Sequence, residues 1–392
     1  MSDSTSWQPP VSDPAAPSPW AAPVSAPPPG PAGYAPPGAQ HGWTPPPKPG
    51  LIPLRPLTFG TLLGAAFQVL RRNPRPTFGF SLLVMGAVTV LSLGIVGLVT
   101  VWAISRMQTA SSADQGAVTA GSVLAIVLAA LVPSALTVVV AALVQGVVSL
   151  EVARGALGEK HRLIGLWRAA KGRLGALIGW SAIVLGVVLA ALLILGLVVG
   201  GFAAALGGPG VAIGVMLMLL LGLGMVVLFV WLGTKVSLVP SVLMLERVSL
   251  REAIRRSWSL TEGFFWKTFG IQALVAFIVQ LVGSIVTTPL SLFMSIGVTL
   301  IDPTGTGTGA IVYTVVIMLL SIALSLVIGA IALVVQSATP ALIYIDIRMR
   351  KEGLDLELQR FIEARQAGTA TEENPYLKAW SSRATAGGSA WA

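Results

Sequence analysis

Cysteine, histidine and charged residues are scarce in this chain of 392 residues. The chain has no cysteine, which excludes disulfide bonds, thiolate metal sites and a cysteine nucleophile. Its two histidines, His41 and His161, lie far apart, so a metal cluster would need carboxylates for all of its ligands. Only 10% of the residues are charged, against about 25% in a soluble globular domain. The composition therefore excludes an ordinary soluble protein.

Sequence motifs of catalysis are missing as well. The glycine-rich run GTGTG at 305–309 lacks the Lys and the Ser or Thr that complete a phosphate-binding P-loop, and it indicates a flexible turn. The chain has no G-x-S-x-G nucleophile elbow, and its apolar runs contain no catalytic carboxylate. We therefore predict no enzymatic activity and no cofactor.

Long apolar runs make up most of the chain. Hydrophobic residues account for 54% of it, and many runs exceed the roughly 18 residues that indicate a membrane-spanning helix. Polar or glycine-rich breaks divide them into six predicted spans: 78–105, 118–150, 174–204, 211–245, 268–299 and 310–346. The sequence therefore predicts an all-α polytopic membrane protein with six transmembrane helices.

The basic residues are distributed unequally among the breaks. The breaks after spans two and four are long and basic, whereas those after spans one, three and five are short and share a single basic residue, Arg106. With the two termini included, 23 of the 25 Lys and Arg residues fall on one side. The positive-inside rule then places both termini and both long loops in the cytoplasm. This distribution of the +9 net charge indicates anionic lipid headgroups as the partner, and no nucleic acid.

Several predicted spans are longer than a bilayer requires. As one helix, 211–245 would cover about 50 Å, against a hydrocarbon core of about 30 Å. We expect the surplus to project toward the cytoplasm as an apolar helix end that other parts of the chain cover. Lys235 then lies about where a span of roughly 20 residues ends. It is either an anchor that reaches the headgroups or a buried functional lysine.

A short amphipathic segment precedes each odd-numbered span. The three segments are LTFGTLLGAAFQVLRRNPRPTFGF, RLIGLWRAAKGRLGALIGW and SLREAIRRSWSLTEGFFWKTFGI, and each reaches the membrane at a glycine: Gly79, Gly179 and Gly270. In the third segment, Ser249 and Glu252 form a capping box that fixes the helix start. We therefore predict three helical hairpins, each preceded by a cytoplasmic interfacial amphipathic helix.

Each even-numbered span ends on a carboxylate: Glu151, Glu246 and Asp346. The helix dipole disfavours an acid at a helix C-terminus by roughly 0.3–1 kcal/mol. These acids therefore either pair with arginines of the interfacial segments, such as Arg168, Arg255 or Arg256, or are solvated at the headgroup level. The candidate residues for structural or lipid-facing roles are Arg71, Arg72, Glu151, Arg168, Lys235, Glu246, Arg251, Arg255, Arg256 and Asp346.

The two ends of the chain differ from its membrane part. Residues 1–50 hold 16 of the 27 prolines and predict a disordered, Pro-rich cytoplasmic tail, whose aromatic residues either bind a partner or are simply solvated. Residues 51–350 form the predicted six-helix domain. Residues 351–392 form a predicted cytoplasmic C-terminal tail with one short amphipathic helix, whose apolar stripe is Leu354, Leu358, Phe361 and Ile362.

Three stretches resemble the membrane domain that is attached to bacterial glycerophosphoryl diester phosphodiesterases, and its stand-alone relatives. They are PLTFGTLLGAAFQVLRRNPRPTFG, VPSVLMLERVSLREAIRRSWSLTEGFFWKTFG and ALIYIDIRMRKEGLDLEL. The resemblance covers about residues 51–360 and implies an architecture more than a chemistry. The catalytic barrel of the fused enzymes, with its histidine and acidic metal ligands, has no counterpart in this sequence, so the resemblance does not imply phosphodiesterase activity.

These observations favour a non-enzymatic integral membrane protein, a scaffold or accessory domain linked to lipid or envelope processes. A permease subunit that docks a membrane or cytoplasmic protein partner through its amphipathic helices is the main alternative, and a membrane enzyme is the third. A transport pathway needs polar residues inside the spans, and the best candidates are Gln145, Gln272, Gln280 and Gln336. Polar side chains inside a span more often pack between helices, however, than line a pathway.

Overall fold

A computed structural model describes residues 51–158 except 52, 54 and 73, residue 165, and residues 171–301, 307–368 and 375–376. This part of the chain is helical throughout and contains no β-strand. The predicted Pro-rich tail at 1–50 and the candidate residue Arg168 lie outside the described residues.

Nine α-helices follow one another along the described chain. Their bounds are α1 Phe59–Arg72, α2 Phe80–Thr109, α3 Gln115–Ala156, α4 Leu174–Val236, α5 Val239–Leu245, α6 Leu250–Thr261, α7 Phe265–Ile301, α8 Thr308–Glu352 and α9 Leu354–Gln366. A π-helical turn at Arg75–Gly79 joins α1 to α2. Helix α2 packs on α3, α7 packs on α8, and α3 and α8 also contact each other.

Five helical segments are long and apolar enough to cross a membrane, where six were expected. They are Thr77–Thr109, Gln115–Ala156, Leu174–Leu245, Phe265–Ile301 and Thr308–Glu352. The third segment covers both the third and the fourth predicted spans. Apolar side chains along these segments are largely exposed, as lipid-facing side chains are; Leu83 and Leu98, for example, are 71% and 75% exposed. The protein is therefore a membrane protein built from apolar helices.

Helix α4 does not run straight through its 63 residues. Gly207 has φ 62° and ψ −137°, a backbone conformation that is open to glycine and strained for other residues. A Cβ atom on Gly214 would lie 3.0 Å from the Cα of Val199, although a straight helix would place these residues about 22 Å apart. The chain therefore folds back at Gly207, and the two legs of α4 lie side by side.

The buried core lies at one end of the helices. All seven residues of α5 are buried, and so are residues 337–349 of α8 and most of the last turns of α3. Helices α1, α6 and α9 pack on these ends. We call this the basic end, because it also holds the exposed arginines of α1 and α6. The expectation that surplus apolar helix ends are covered by other parts of the chain is met here.

The local signals of α6 and α9 predicted their helices correctly. Ser249 is the N-cap of α6, and its Oγ accepts a hydrogen bond from the N–H of Glu252 at 3.4 Å. Helix α9 forms immediately after Gly353, a residue in the left-handed conformation with φ 68°. Leu354 and Leu358, from the predicted apolar stripe of α9, are fully buried.

Candidate functional site

Glu246 is the centre of a buried ionic cluster at the basic end. It follows α5, and its carboxylate accepts hydrogen bonds from Arg256 Nε at 3.2 Å and from Tyr344 Oη at 2.7 Å. Arg348 Nη1 lies 3.6 Å from Oε1, the carboxylate oxygen that also accepts from Tyr344. Because Arg256 belongs to α6, the contact is the pairing of an acid with an interfacial arginine that the sequence suggested.

The same cluster contains a second carboxylate, Glu352. Arg348 Nε donates to Glu352 at 2.8 Å, and Arg256 Nη2 donates to it as well. The two acids and the two arginines balance in charge. The side chains of Arg348 and Glu246 are completely buried, and that of Glu352 is 3% exposed. Buried charges are tolerated only in such paired and hydrogen-bonded arrangements.

Asp346 is the centre of a second cluster. It lies on α8, two residues before Arg348 of the first cluster. It accepts a hydrogen bond from the backbone N–H of Leu57 at 2.7 Å, and its carboxylate pairs with Lys267 at 2.5 Å and with Arg350 at 3.1 Å. Lys267 and Arg350 also donate to the carbonyl oxygen of Leu57, at 3.3 Å and 2.7 Å. The cluster therefore ties the segment before α1 to the first turn of α7 and to the last turns of α8. Its cations are not the arginines that the sequence suggested.

Two of these contacts link segments that the sequence assigns to different predicted repeat units. Glu246 closes the second unit and pairs with α6 of the third, whereas Asp346 closes the third unit and binds the entry to α1 of the first. The entry glycines follow the same order: Gly179 lies against Leu250 of α6, and Gly270 lies against Phe59 of α1. Similar contacts are therefore made at two of the three predicted entry glycines, whereas a Cβ atom on Gly79 would have no neighbour within 4 Å among the described residues.

The remaining candidate residues fall into two groups. Glu151 is buried, and Arg72 is half-buried and donates to the carbonyl oxygen of Gly155 at 2.9 Å. By contrast, three candidate arginines are exposed: Arg71, Arg251 and Arg255. Arg256 therefore serves the ionic cluster, whereas its neighbour Arg255 faces outward.

Lys235 lies near the end of α4, where it is half-buried. Its ammonium group sits 5.4 Å from the ring centroid of Trp258 on α6, and the Trp258 ring in turn meets Trp231 edge to face. The backbone carbonyl oxygen of Lys235 accepts a hydrogen bond from Ser257 Oγ at 2.8 Å. Lys235 therefore contacts the amphipathic helix α6 through both its side chain and its backbone.

A cavity of about 600 Å³ lies just inside the basic end. The legs of α4 contribute the largest share of its wall, and α3, α5, α6, α7 and α8 complete it. The wall includes one residue from an equivalent position of each unit, six residues before the terminal carboxylate: Gln145, Pro240 and Pro340. A neighbouring cavity of about 420 Å³ shares part of this wall, including Gln272 and Gln336. Three of the four intramembrane glutamines singled out in the sequence therefore lie around one space.

Sequence reasoning missed several residues of these sites. Tyr344, Arg348 and Glu352 recur at intervals of four residues, which places them on one face of α8, and this spacing was a usable signal. Tyr376 is buried, donates from its hydroxyl to the carbonyl oxygen of Ala153 at 2.8 Å, and accepts at its own carbonyl from Arg348 at 3.2 Å. Nothing in the composition of the C-terminal tail marks Tyr376 for this position.

The described residues form two ionic clusters and the two neighbouring cavities. Among them there is no group of three or more His, Cys, Asp or Glu side chains that can hold a metal ion. Both clusters join acids to cations and to backbone groups, and both connect elements that are distant in the sequence. Comparison of the chain with protein-family models, with curated proteins and with solved structures found no match in any of the three.

Proposed function

We propose that this chain is a multi-pass protein of the cytoplasmic membrane that crosses the bilayer six times, with both termini in the cytoplasm. A straight helix of the length of α4 would measure about 95 Å, roughly three times the hydrocarbon core. The fold-back at Gly207 supports two crossings by this segment. A third hairpin, beside the packed pairs α2–α3 and α7–α8, follows from this assignment.

The function that the geometry supports best is that of a non-enzymatic scaffold or accessory protein at the inner leaflet. One observation carries it: the arginines of α6 divide between two tasks. Arg256 is held by two carboxylates of the chain, whereas Arg251 and Arg255 are exposed beside it. Basic residues at an anionic leaflet gain about 1 kcal/mol each. The ionic cluster holds α6 against the ends of α5 and α8. The exposed arginines of α6 then bind anionic lipid headgroups.

This proposal includes kinship with the phosphodiesterase-associated membrane domains that the sequence resembles, and hence a role in lipid or envelope processes. A membrane domain of that kind fits an accessory role, because it can act by holding a partner or a lipid at the membrane.

The lipid-binding role is tested with purified protein in nanodiscs that contain either zwitterionic lipid alone or a fraction of phosphatidylglycerol. We expect the anionic lipid to stabilise the protein, and the double variant Arg251→Glu/Arg255→Glu to lose about 2 kcal/mol of that gain. The gain should also shrink as salt is added. Arg106→Glu is the matched control, since Arg106 is exposed at the far end of α2. An equal gain in the double variant and the control would contradict the proposal.

The six-crossing topology is tested with reporters fused at the fold-back. A reporter that is active only in the cytoplasm should be inactive when it is fused after residue 206, and active when it is fused after residue 246. Activity at the first position would show that α4 does not reach the outer side.

A permease subunit remains the second candidate function, because the cavity inside the spans gives it a specific observation. Its interfacial helix α6 would then dock an ATPase. Reproducible recovery of an ATPase subunit from mild detergent, lost on Arg251→Glu/Arg255→Glu, is the outcome that would favour this candidate over the scaffold.

A further inference from the structure

The cavity of about 600 Å³ has the size of a ligand site and a mostly apolar wall. Small-molecule sites in proteins measure roughly 300–1,000 Å³ and combine apolar walls with a few placed polar groups. The apolar part of this wall comes mainly from α4, with residues such as Ile183, Val187 and Leu232. Within the described part of the chain, no charged side chain lines this cavity or its neighbour. An anionic or cationic headgroup would therefore lose its hydration without gaining a counter-charge.

The polar groups of the wall have fixed orientations. The side-chain amide N–H of Gln145 donates to the carbonyl oxygen of Ser237 at 3.1 Å. The Ser237 hydroxyl donates to the carbonyl oxygen of Thr234 at 2.9 Å, so it accepts from the amide N–H of Gln272 at 2.9 Å. Because both amides use their nitrogen toward Ser237, the oxygen of each is an acceptor with no hydrogen bond to the described residues.

Gln336 adds an uncommitted amide to the same wall. Its side chain is exposed, lines both cavities and makes no hydrogen bond to the described residues. A polar side chain inside a membrane segment usually finds a partner on a neighbouring helix. Here the free amide faces the space that the two bound glutamines border, so the wall offers two acceptors and one group that both donates and accepts.

The depth of the cavity fits a lipid that lies near the membrane interface. Gln145, Pro240 and Pro340 each precede a terminal carboxylate by six residues, which is about 9 Å along a helix. The headgroup region of a bilayer is about 5–8 Å deep on each side. In the proposed topology, with the terminal carboxylates at the outer edge of the headgroup region, the glutamines lie just below the headgroups, where the glycerol backbone of a neutral lipid begins.

We propose that this cavity binds an uncharged lipid that carries a free hydroxyl group, such as a diacylglycerol, with the hydroxyl at the glutamines and a chain along the wall of α4. A hydroxyl donates to one amide oxygen and accepts from the free amide of Gln336. A quinone or a fully esterified lipid has acceptors alone, and it leaves both glutamine oxygens unpaired. This proposal goes beyond the scaffold function and does not depend on the exposed arginines.

The test uses the full chain in nanodiscs of zwitterionic lipid and a diacylglycerol with a photoreactive group in one acyl chain. We expect the label to map to peptides of α4 and α8 that line the cavity. Dioctanoylglycerol should compete, whereas its O-acetylated form and phosphatidic acid with the same chains should compete at least about tenfold less well. Equal competition by the acetylated lipid, or stronger competition by phosphatidic acid, would overturn the proposal.

Variants of the glutamines separate binding from folding. Gln336→Leu should reduce labelling about three- to tenfold, the loss of one or two hydrogen bonds, and it should leave the unfolding transition unchanged because Gln336 has no hydrogen bond within the described part of the chain. Gln272→Leu should reduce labelling as well. Gln280→Leu is the control, since Gln280 lies on the same helix α7 but outside both cavity walls. Unchanged labelling in both wall variants would refute the assignment even if the exposed arginines bind anionic lipid.

Discussion

Replacing Arg256 by methionine tests whether the Glu246 cluster holds the basic end together. Arg256 is 13% exposed and contacts two carboxylates, Glu246 and Glu352, whose side chains are 0% and 3% exposed. The variant leaves two buried acids with one buried cation, Arg348. Removing one partner of a buried pair costs about 3–5 kcal/mol of stability. Because Arg348 still contacts both acids, we expect a loss near the lower value. Methionine has a helix propensity close to that of arginine, so α6 itself is little affected.

The matched control is the same replacement one residue earlier. Arg255 lies on α6 as well, but it is exposed, so Arg255→Met should change the free energy of unfolding by less than about 0.5 kcal/mol. Equilibrium unfolding in mixed micelles of a mild detergent and sodium dodecyl sulfate, followed by tryptophan fluorescence, gives both values.

A double variant makes the electrostatic reasoning more specific. Adding Glu352→Gln to Arg256→Met restores the charge balance between Glu246 and Arg348. The double variant should therefore lose less stability than the two single variants lose in sum. Equal losses for Arg256→Met and Arg255→Met, or strict additivity in the double variant, would refute the role given to the cluster.

The fold-back and the C-terminal contact give two further predictions. Gly207→Ala should destabilise the protein by about 1–3 kcal/mol because of the positive φ angle at this position, whereas Gly200→Ala, at an open helical position, should be neutral or slightly stabilising in the same unfolding assay. Tyr376→Phe removes the hydrogen bond to the carbonyl oxygen of Ala153 and should cost about 1 kcal/mol. A variant of Tyr376 that is as stable as the parent would show that this contact contributes nothing.

The elements that local chemistry dictates were predictable from the sequence. Ser249 predicted where α6 begins, and the apolar spacing after it predicted the buried face of this helix. The apolar stripe that begins at Leu354 predicted α9. The unfavourable position of Glu246 beyond a helix end predicted a cation nearby, and Arg256 provides it. Each of these signals acts within about ten residues, so a linear sequence contains both the cause and the effect.

The partners that lie far apart in the sequence were not predictable. Asp346 binds the backbone of Leu57, which is 289 residues away, and Tyr344 meets Glu246 across 98 residues. Arg348 has the sequence context of an ordinary solvated residue beside the membrane, yet it is fully buried because two acids from different elements meet it. Its burial depends on the packing of α5, α6 and α8, which the sequence of α8 alone does not contain.

The surplus length of the apolar helices and the buried acids at their ends have a common explanation. A helix end that projects beyond the hydrocarbon core would expose apolar side chains to water, so the ends of α3, α5 and α8 bury each other under α1, α6 and α9. Neither lipid nor bulk water reaches the centre of that packing. An acid such as Glu246 or Asp346 at such an end cannot be solvated, and an unpaired buried charge would cost several kcal/mol. The chain therefore supplies its own cations there, from α6, α7 and α8, and a backbone donor from the segment before α1.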